Sequence, residues 1–349
     1  MNNPATFRLA LNCVLTWLLT ALVSLTSLTA AAQTIRRVNN NVGITGPNVY
    51  ATLQLAHDAA VAGDILHVEP STVGYGGLTA TKQLTILGPG YFLDLNQPPV
   101  LQVVNTTAQV GQLDFQVGSD GSTVSGLYSV SNIILRASNL TCVRNYAAGY
   151  IYVNYNNTNS GNVIRQNYVA AITYLSSGTA SNMVITNNIV TSTMNLALAG
   201  FTGIFANNVV LGTSYFDNFT VKNNYLAGIG QTTTNTTYQN NLFGGAVPTA
   251  FLVSTNNTAS VSTASTFMLG PGSTQYDAWY KLKIGNTTAS GKGENGADIG
   301  AYGSLGLVGA GVGYAYHPSG LPAIPAIYQL SQVVNGTNLN VTLSTRSNN

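Results

Sequence analysis

The stretch Ile185-Thr186-Asn187-Asn188-Ile189-Val190 is one of six segments that repeat a single local pattern. Each segment has an apolar residue three positions before an asparagine and mostly apolar residues at the two positions after it. The asparagine recurs after 22, 21, 20, 16 and 17 residues, which is the length of one coil of a parallel β-solenoid. The six asparagines are Asn145, Asn167, Asn188, Asn208, Asn224 and Asn241. The spacing therefore predicts an all-β solenoid.

Aligning the six segments on this asparagine gives three apolar columns, which are predicted to stack from coil to coil and fill a continuous core. The columns are Cys142, Ile164, Ile185, Phe205, Val221 and Tyr238 three positions before; Tyr146, Tyr168, Ile189, Val209, Tyr225 and Leu242 one position after; and Ala147, Val169, Val190, Val210, Leu226 and Phe243 two positions after. Asparagine tolerates left-handed backbone angles, and its amide both donates and accepts hydrogen bonds. We interpret the repeated asparagine as a bend residue in a structural ladder with a spacing of roughly 5 Å.

The first 32 residues have the features of a secretory signal peptide. Arg8 precedes the uncharged run from Leu9 to Thr29, and Ala30-Ala31-Ala32 supplies the small residues that a signal peptidase recognises. A membrane anchor is the alternative, because the apolar run approaches the length that spans a bilayer. We favour cleavage before Gln33, which predicts a secreted or cell-surface protein that does not span the membrane.

The composition of the remaining 317 residues (349 − 32) excludes some function classes. Without Arg8 there are 11 basic and 10 acidic residues, so nucleic acid is not an expected partner, because phosphate binding needs clustered cations. Cys142 is then the only cysteine. It occupies an apolar column, and we interpret it as a small buried side chain rather than a reactive thiol.

A single helix is predicted at residues 49–62, where Val49, Leu53, Ala56 and Ala60 share one face. Asn48 is the predicted N-cap, and Gly63 is placed to end the helix. Such a helix covers the open apolar end of a solenoid. We expect the capped solenoid to span residues 33–303, followed over residues 304–349 by a linker and terminal strands near 324–330 and 339–343.

Three regions resemble the secreted bacterial right-handed parallel β-helix proteins, called pectin-lyase-like. Residues 50–68 resemble the entry cap and first strand, and the asparagine-marked coils resemble the internal repeats. The stretch Tyr280-Lys281-Leu282, Gly291-Lys292-Gly293 and Asp298-Ile299-Gly300-Ala301-Tyr302-Gly303 is similar to the closing motif of many bacterial members. The resemblance implies a right-handed parallel β-helix, with Asp298 as a structural turn residue. It implies no single activity, because this fold is found in lyases, hydrolases, epimerases, adhesins and non-catalytic proteins.

Catalytic groups are sparse in the regular coils. Cleavage of a polysaccharide on such a scaffold needs paired carboxylates, or acids that bind Ca²⁺ together with an Arg or Lys base. Asp217 is the only acid between Ser131 and Gly245. No catalytic residue is predicted; the catalytic alternative is Asp217 with Arg165 or Lys222, and only this alternative involves Ca²⁺. His57, His67 and His317 are scattered, so no metal site or other cofactor is predicted.

Tyrosines provide the binding hypothesis. Tyr152, Tyr174 and Tyr215 each follow a repeated asparagine by seven residues, with Asn195 at the same place in the intervening coil. A row of tyrosines on one face suits stacking on sugar rings, whereas the alternative is that this column points inward or supports the sheet.

The leading hypothesis is therefore a secreted, non-catalytic β-helix surface or matrix protein that binds polysaccharide. Two alternatives stay open: a lyase, epimerase or hydrolase acting on an acidic glycan, and a structural adhesin. The sequence makes no prediction of the oligomeric state.

Overall fold

A computed structural model describes residues 33–92, 106–230, 235–268, 279–303, 315–316, 326–336 and 338–346. The predicted all-β parallel β-helix is confirmed, with about nine turns. The predicted signal peptide, residues 1–32, and the first part of the predicted linker, residues 304–314, lie outside the described residues.

Sheet 1 runs along one side of the solenoid and contains 13 strands among the described residues, all joined in parallel. In spatial order they are Val49–Tyr50, Ile35–Val38, Ile65–Val68, Thr85–Leu87, Thr123–Ser125, Thr141–Val143, Val163–Arg165, Thr179–Thr186, Phe201–Ala206, Phe219–Lys222, Thr237–Gln239 and Val253–Thr255, with Thr158–Ser160 paired to Thr179–Thr186.

In the same described part of the chain, sheet 2 contains 12 strands, also parallel. In spatial order they are Leu78–Ala80, Leu113–Phe115, Ile133–Leu135, Tyr146–Tyr152, Tyr168–Thr173, Ile189–Val190, Val209–Phe216, Tyr225–Ile229 and Leu242–Phe243; Met194–Leu196 pairs with Val209–Phe216, Tyr128–Ser129 with Tyr146–Tyr152, and Gln109–Val110 with Tyr128–Ser129. The predicted terminal strands are longer than expected, at Ala326–Asn335 and Asn338–Arg346, and form an antiparallel hairpin.

The N-terminal helix is shorter than predicted, at Leu53–Ala59, and its N-cap is Thr52, whose hydroxyl accepts from the Leu55 amide at 3.2 Å. Asn48 is therefore not the cap: it has φ of 59° in a turn, and Val49–Tyr50 pairs as a strand with Ile35–Val38. The strand preference of Val49 and Tyr50 explains the difference. Leu53 and Ala56 are fully buried against the first strands, as expected for a cap.

Only two of the three predicted columns fill the main core. The columns three positions before and two positions after the repeated asparagine are buried there. The column one position after points to the other side of sheet 2, because side chains alternate along a strand. It forms a separate outer core with Tyr91, Val261, Phe267, Trp279, Tyr280, Ala289, Ile299, Ala301 and Tyr316. The prediction of a single core was wrong for this column.

The repeated asparagines form a ladder at the bend between the two sheets. The side-chain oxygen of each accepts from the backbone N–H of its predecessor at 2.8 to 3.0 Å, from Asn145 through Asn241. Asn257 continues the ladder one coil further, at 2.9 Å from the Asn241 amide. The ladder asparagine was predicted to adopt the left-handed conformation, but the residue before it does so instead.

These left-handed residues form an outer column, with φ between 53° and 58°. Its members are Arg144, Gln166, Asn187, Asn207, Asn223, Asn240 and Asn256. Residues 279–303 and 315–316, here called the strap, lie outside this column and cover the outer core. The stretch that resembles a closing motif therefore lies along the side of the solenoid, and Asp298 Oδ1 accepts from the Gly291 amide at 2.8 Å as a turn residue.

Candidate ligand-binding surface

The three tyrosines predicted to stack are not in register. Tyr152 lies opposite Thr173 rather than Tyr174, because a bulge between Ala147 and Tyr150 adds one residue to that strand. Tyr174 packs against the main core and meets Phe201 edge to face, with 5.5 Å between ring centroids. Tyr215 lies opposite Asn195. A continuous tyrosine ladder is thus absent, and the binding role of each tyrosine stays a prediction.

An accessible aromatic surface nevertheless surrounds Tyr152. Its strand neighbours on either side are Ile134 and Thr173. Tyr150 is 42% exposed, and its ring meets Tyr152 edge to face at 5.6 Å. Because Ile151 between them is fully buried, both tyrosines point away from the core.

A charged pair lies on the same face. Asp114 is opposite Ile134, which is itself opposite Tyr152. Arg136 binds Asp114 through two hydrogen bonds, from Nε at 2.8 Å and from Nη2 at 3.0 Å. The guanidinium also lies 3.8 Å from the centre of the Tyr155 ring, a cation–π contact.

The turn that carries Tyr155 is held by asparagine amides. Asn157 Oδ1 accepts from the Tyr155 amide at 3.0 Å, and Asn157 Nδ2 donates to the carbonyl of Arg136. The buried Asn154 side chain donates to the carbonyls of Asn157 at 2.6 Å and Thr179 at 2.9 Å. Tyr155 and Arg136 are therefore positioned by a fixed backbone rather than by a free loop.

Together Tyr150, Tyr152, Tyr155, Arg136 and Asp114 form what we call the tyrosine patch. Burial, with a smaller effect of Tyr150, raises the pKa of Tyr152, so that its phenol is a neutral donor and acceptor. Sequence reasoning missed Asp114 and Arg136 as a pair. Their separation of 22 positions equals one coil, which is the signal that would have revealed them.

The residues of the catalytic alternative do not lie together. Arg165 and Lys222 share one column of sheet 1, with Thr186 and Ala206 between them, so they are three strand spacings, or about 14 Å, apart. Lys222 Nζ lies 2.5 Å from Glu294 Oε2 of the strap. Asp217 lies just before the strand Phe219–Lys222, whereas Lys222 is the last residue of that strand.

The histidines of the cap have structural contacts. His57 is buried, and its Nε2 accepts from the Thr81 amide at 3.1 Å, so Nδ1 carries the proton that faces Asp58 Oδ1 at 2.9 Å. His67 pairs with Arg37 within sheet 1, and His317 lies outside the described residues. Across the described part of the chain, no three His, Cys, Asp or Glu side chains are grouped to hold a metal ion. No helix among those residues is long and apolar enough to cross a membrane.

No protein-family model matches the sequence, and neither the curated proteins nor the solved structures gave a match. The pectin-lyase-like resemblance and the bacterial secreted origin stay predictions, while the parallel β-helix is shown by the structure itself.

Proposed function

We propose that this chain is a secreted or cell-surface β-helix protein that binds a polysaccharide through the tyrosine patch. The observation that carries the proposal is that the outward Tyr150 and Tyr152 rings lie on the same face as the Arg136–Asp114 ion pair. Aromatic faces provide apolar area for sugar rings, and carboxylate and guanidinium groups bond to sugar hydroxyls.

The charge of the patch favours a neutral glycan. Both oxygens of Asp114 are engaged by Arg136, and Gln116 Nε2 donates to one of them at 2.7 Å. The positive charge of Arg136 is thus already balanced, and an acidic sugar would gain little from it. We expect neutral polysaccharides to bind more tightly than pectate or alginate.

Calorimetry with a panel of soluble neutral and acidic polysaccharides tests the proposal. Tyr150→Ala and Tyr152→Ala should each weaken binding of a neutral glycan about tenfold, because each removes a ring from the surface. Phe251→Ala is the matched control, because Phe251 is an aromatic residue of similar exposure, 40%, on the last coil. It should leave binding unchanged.

Two outcomes would contradict polysaccharide binding. The first is no affinity for any glycan on the panel, especially if the protein instead adheres to cells or to itself, as the structural-adhesin alternative predicts. The second is affinity that Tyr150→Ala and Tyr152→Ala leave intact. Release of unsaturated products or reducing ends from an acidic glycan would instead support the enzyme alternative.

A further inference from the structure

The strap is bound by side-chain amides of the outer column at four successive coils. Asn187 Nδ2 donates to the carbonyls of Ala301 at 2.9 Å and Gly303 at 2.6 Å. One coil later, Asn207 Nδ2 donates to the carbonyl of Asp298 at 3.0 Å. The column thus binds backbone groups of a segment built of turns and bends, rather than particular side chains.

The flanking coils use the same chemistry. Gln166 Nε2 donates to the carbonyl of Ala315, and Asn223 Oδ1 accepts from the Glu294 amide at 2.9 Å. The Gly300 amide also donates to the carbonyl of Asn223 at 2.9 Å. From Glu294 at Asn223 to Ala315 at Gln166, the strap thus passes the coils in the reverse of their sequence order.

The next two coils carry the same residue in the same conformation, but there the strap stands off from the column and forms the opposite wall of a cleft. Asn240 and Asn256 have φ of 53° and 54°, so their side chains leave the solenoid in the direction taken by Asn207 and Asn223. Within the described ranges, neither side chain has a hydrogen-bond partner. Both instead line an open cleft of about 650 Å³, a volume within the range of about 300–1,000 Å³ that is usual for ligand sites.

We infer that this cleft is a second binding site, for a peptide segment whose backbone carbonyls accept from Asn240 and Asn256. The occupant would continue the arrangement that the strap already has on the preceding coils. This site is separate from the tyrosine patch and does not depend on polysaccharide binding.

The rim of the cleft favours a peptide with an acidic side chain. Lys292 is exposed there, and Thr287 and Thr288 also line the cleft. Glu294, the acid of the lining, is paired with Lys222 at 2.5 Å. Lys292 is therefore the cation available to a carboxylate of the ligand. Small residues are expected opposite the amides, because the strap has Gly300 and Gly303 where it lies against the column.

The probe is an acetylated and amidated peptide with the sequence of residues 296–303, Gly-Ala-Asp-Ile-Gly-Ala-Tyr-Gly, added to the full folded protein. We expect saturable binding in calorimetry. The double variant Asn240→Asp/Asn256→Asp should weaken it at least about tenfold, because each change replaces a donating amide with an acceptor. Aspartate also tolerates the left-handed conformation, so the solenoid should remain folded.

Asn218→Asp is the matched control. Asn218 has φ of 55° and is partly exposed like Asn240, but it lies in the turn before Phe219–Lys222 at another corner of the coil. The Asn218→Asp variant should bind the peptide with the affinity of the unmodified protein. Circular dichroism and a thermal melt should show that all variants keep the fold.

The Trp279 fluorescence gives a second readout, because Trp279, the first residue of the strap, is buried against Phe92 and Tyr168. Binding in the open cleft should leave its emission unchanged. The inference is overturned if the peptide does not bind, if the double variant binds it normally, or if binding shifts the emission, which would mean that the peptide displaces the strap. Binding of a neutral oligosaccharide, instead of the peptide, in this cleft would also overturn the inference.

Discussion

Asn207 Nδ2 donates a 3.0 Å hydrogen bond to the carbonyl of Asp298, a residue 91 positions later in the chain. Its neighbour Asn208 points the opposite way and donates to Asn224 Oδ1 at 3.1 Å in the buried ladder. The two adjacent asparagines therefore have different roles: Asn208 joins one coil to the next, and Asn207 joins the solenoid to the strap. The left-handed backbone of Asn207 separates their directions.

The ladder should contribute strongly to stability at its centre. Asn188→Ala would leave the buried backbone N–H of Asn167 without its acceptor, Asn188 Oδ1 at 2.9 Å, and would remove the Asn188 Nδ2 donor from the carbonyls of Ile164 and Thr186. A buried donor without a partner costs about 1–3 kcal/mol, so we expect a loss of about 3 kcal/mol in the free energy of unfolding. Urea denaturation followed by circular dichroism measures it.

Asn257→Ala is the control for position in the ladder. Asn257 is the last described rung and is partly exposed, so water can replace its bond to the Asn241 amide. Its loss should shift the urea midpoint less than Asn188→Ala does. Equal shifts, or no shift for Asn188→Ala, would show that the ladder does not hold the coils together.

The strap should depend on the absence of a side chain at Gly303. A Cβ there would overlap the carbonyl oxygen of Asp298 and Nδ2 of Asn207. We expect Gly303→Ala to loosen the strap without unfolding the coils. The emission of Trp279 should shift to the red as its indole becomes hydrated, and trypsin should cleave faster after Lys281 and Lys292.

Gly245→Ala controls for this change, because nothing lies within 4 Å of a Cβ at Gly245. That variant should keep the native emission and the native cleavage rate. An unchanged Trp279 emission in Gly303→Ala would contradict the close docking of the strap on the outer column.

Cys142 should be inert in the folded protein. Burial raises the pKa of its thiol to about 12, so at about pH 8 the reactive thiolate is roughly one part in ten thousand. A thiol-reactive dye should label the native protein very slowly and the urea-unfolded protein at an ordinary rate. The raised pKa means that the folded state favours the protonated thiol. The contribution of this thiol to the free energy of unfolding is therefore present below the pKa of the thiol in the unfolded chain, and it is lost as the pH rises toward about 12. Rapid labelling of native protein would contradict its place in the core.

Part of this architecture was readable from the spacing of Asn145 to Asn241, because a coil that stacks on its neighbour repeats the same side chain at the same bend. Asn257 was missed because the apolar residues that flank the other rungs are absent around it. The tyrosine column was misread because a bulge of one residue cannot be seen in the distance from Asn145 to Tyr152. The Asp114–Arg136 pair was missed because Asp114 lies outside the regular repeats.

The sequence by itself determined the parallel coils, the ladder and the two inward columns, since these depend on a period and on the chemistry of single residue types. Only the tertiary structure decided what lies on the outside. There, Tyr168 and Val209 are covered by the strap, Asn187 and Asn207 bind it, and Asn240 and Asn256 face an open cleft. The physical reason is that these contacts join segments about a hundred positions apart. No local sequence pattern indicates which coils the strap will contact and which it will not.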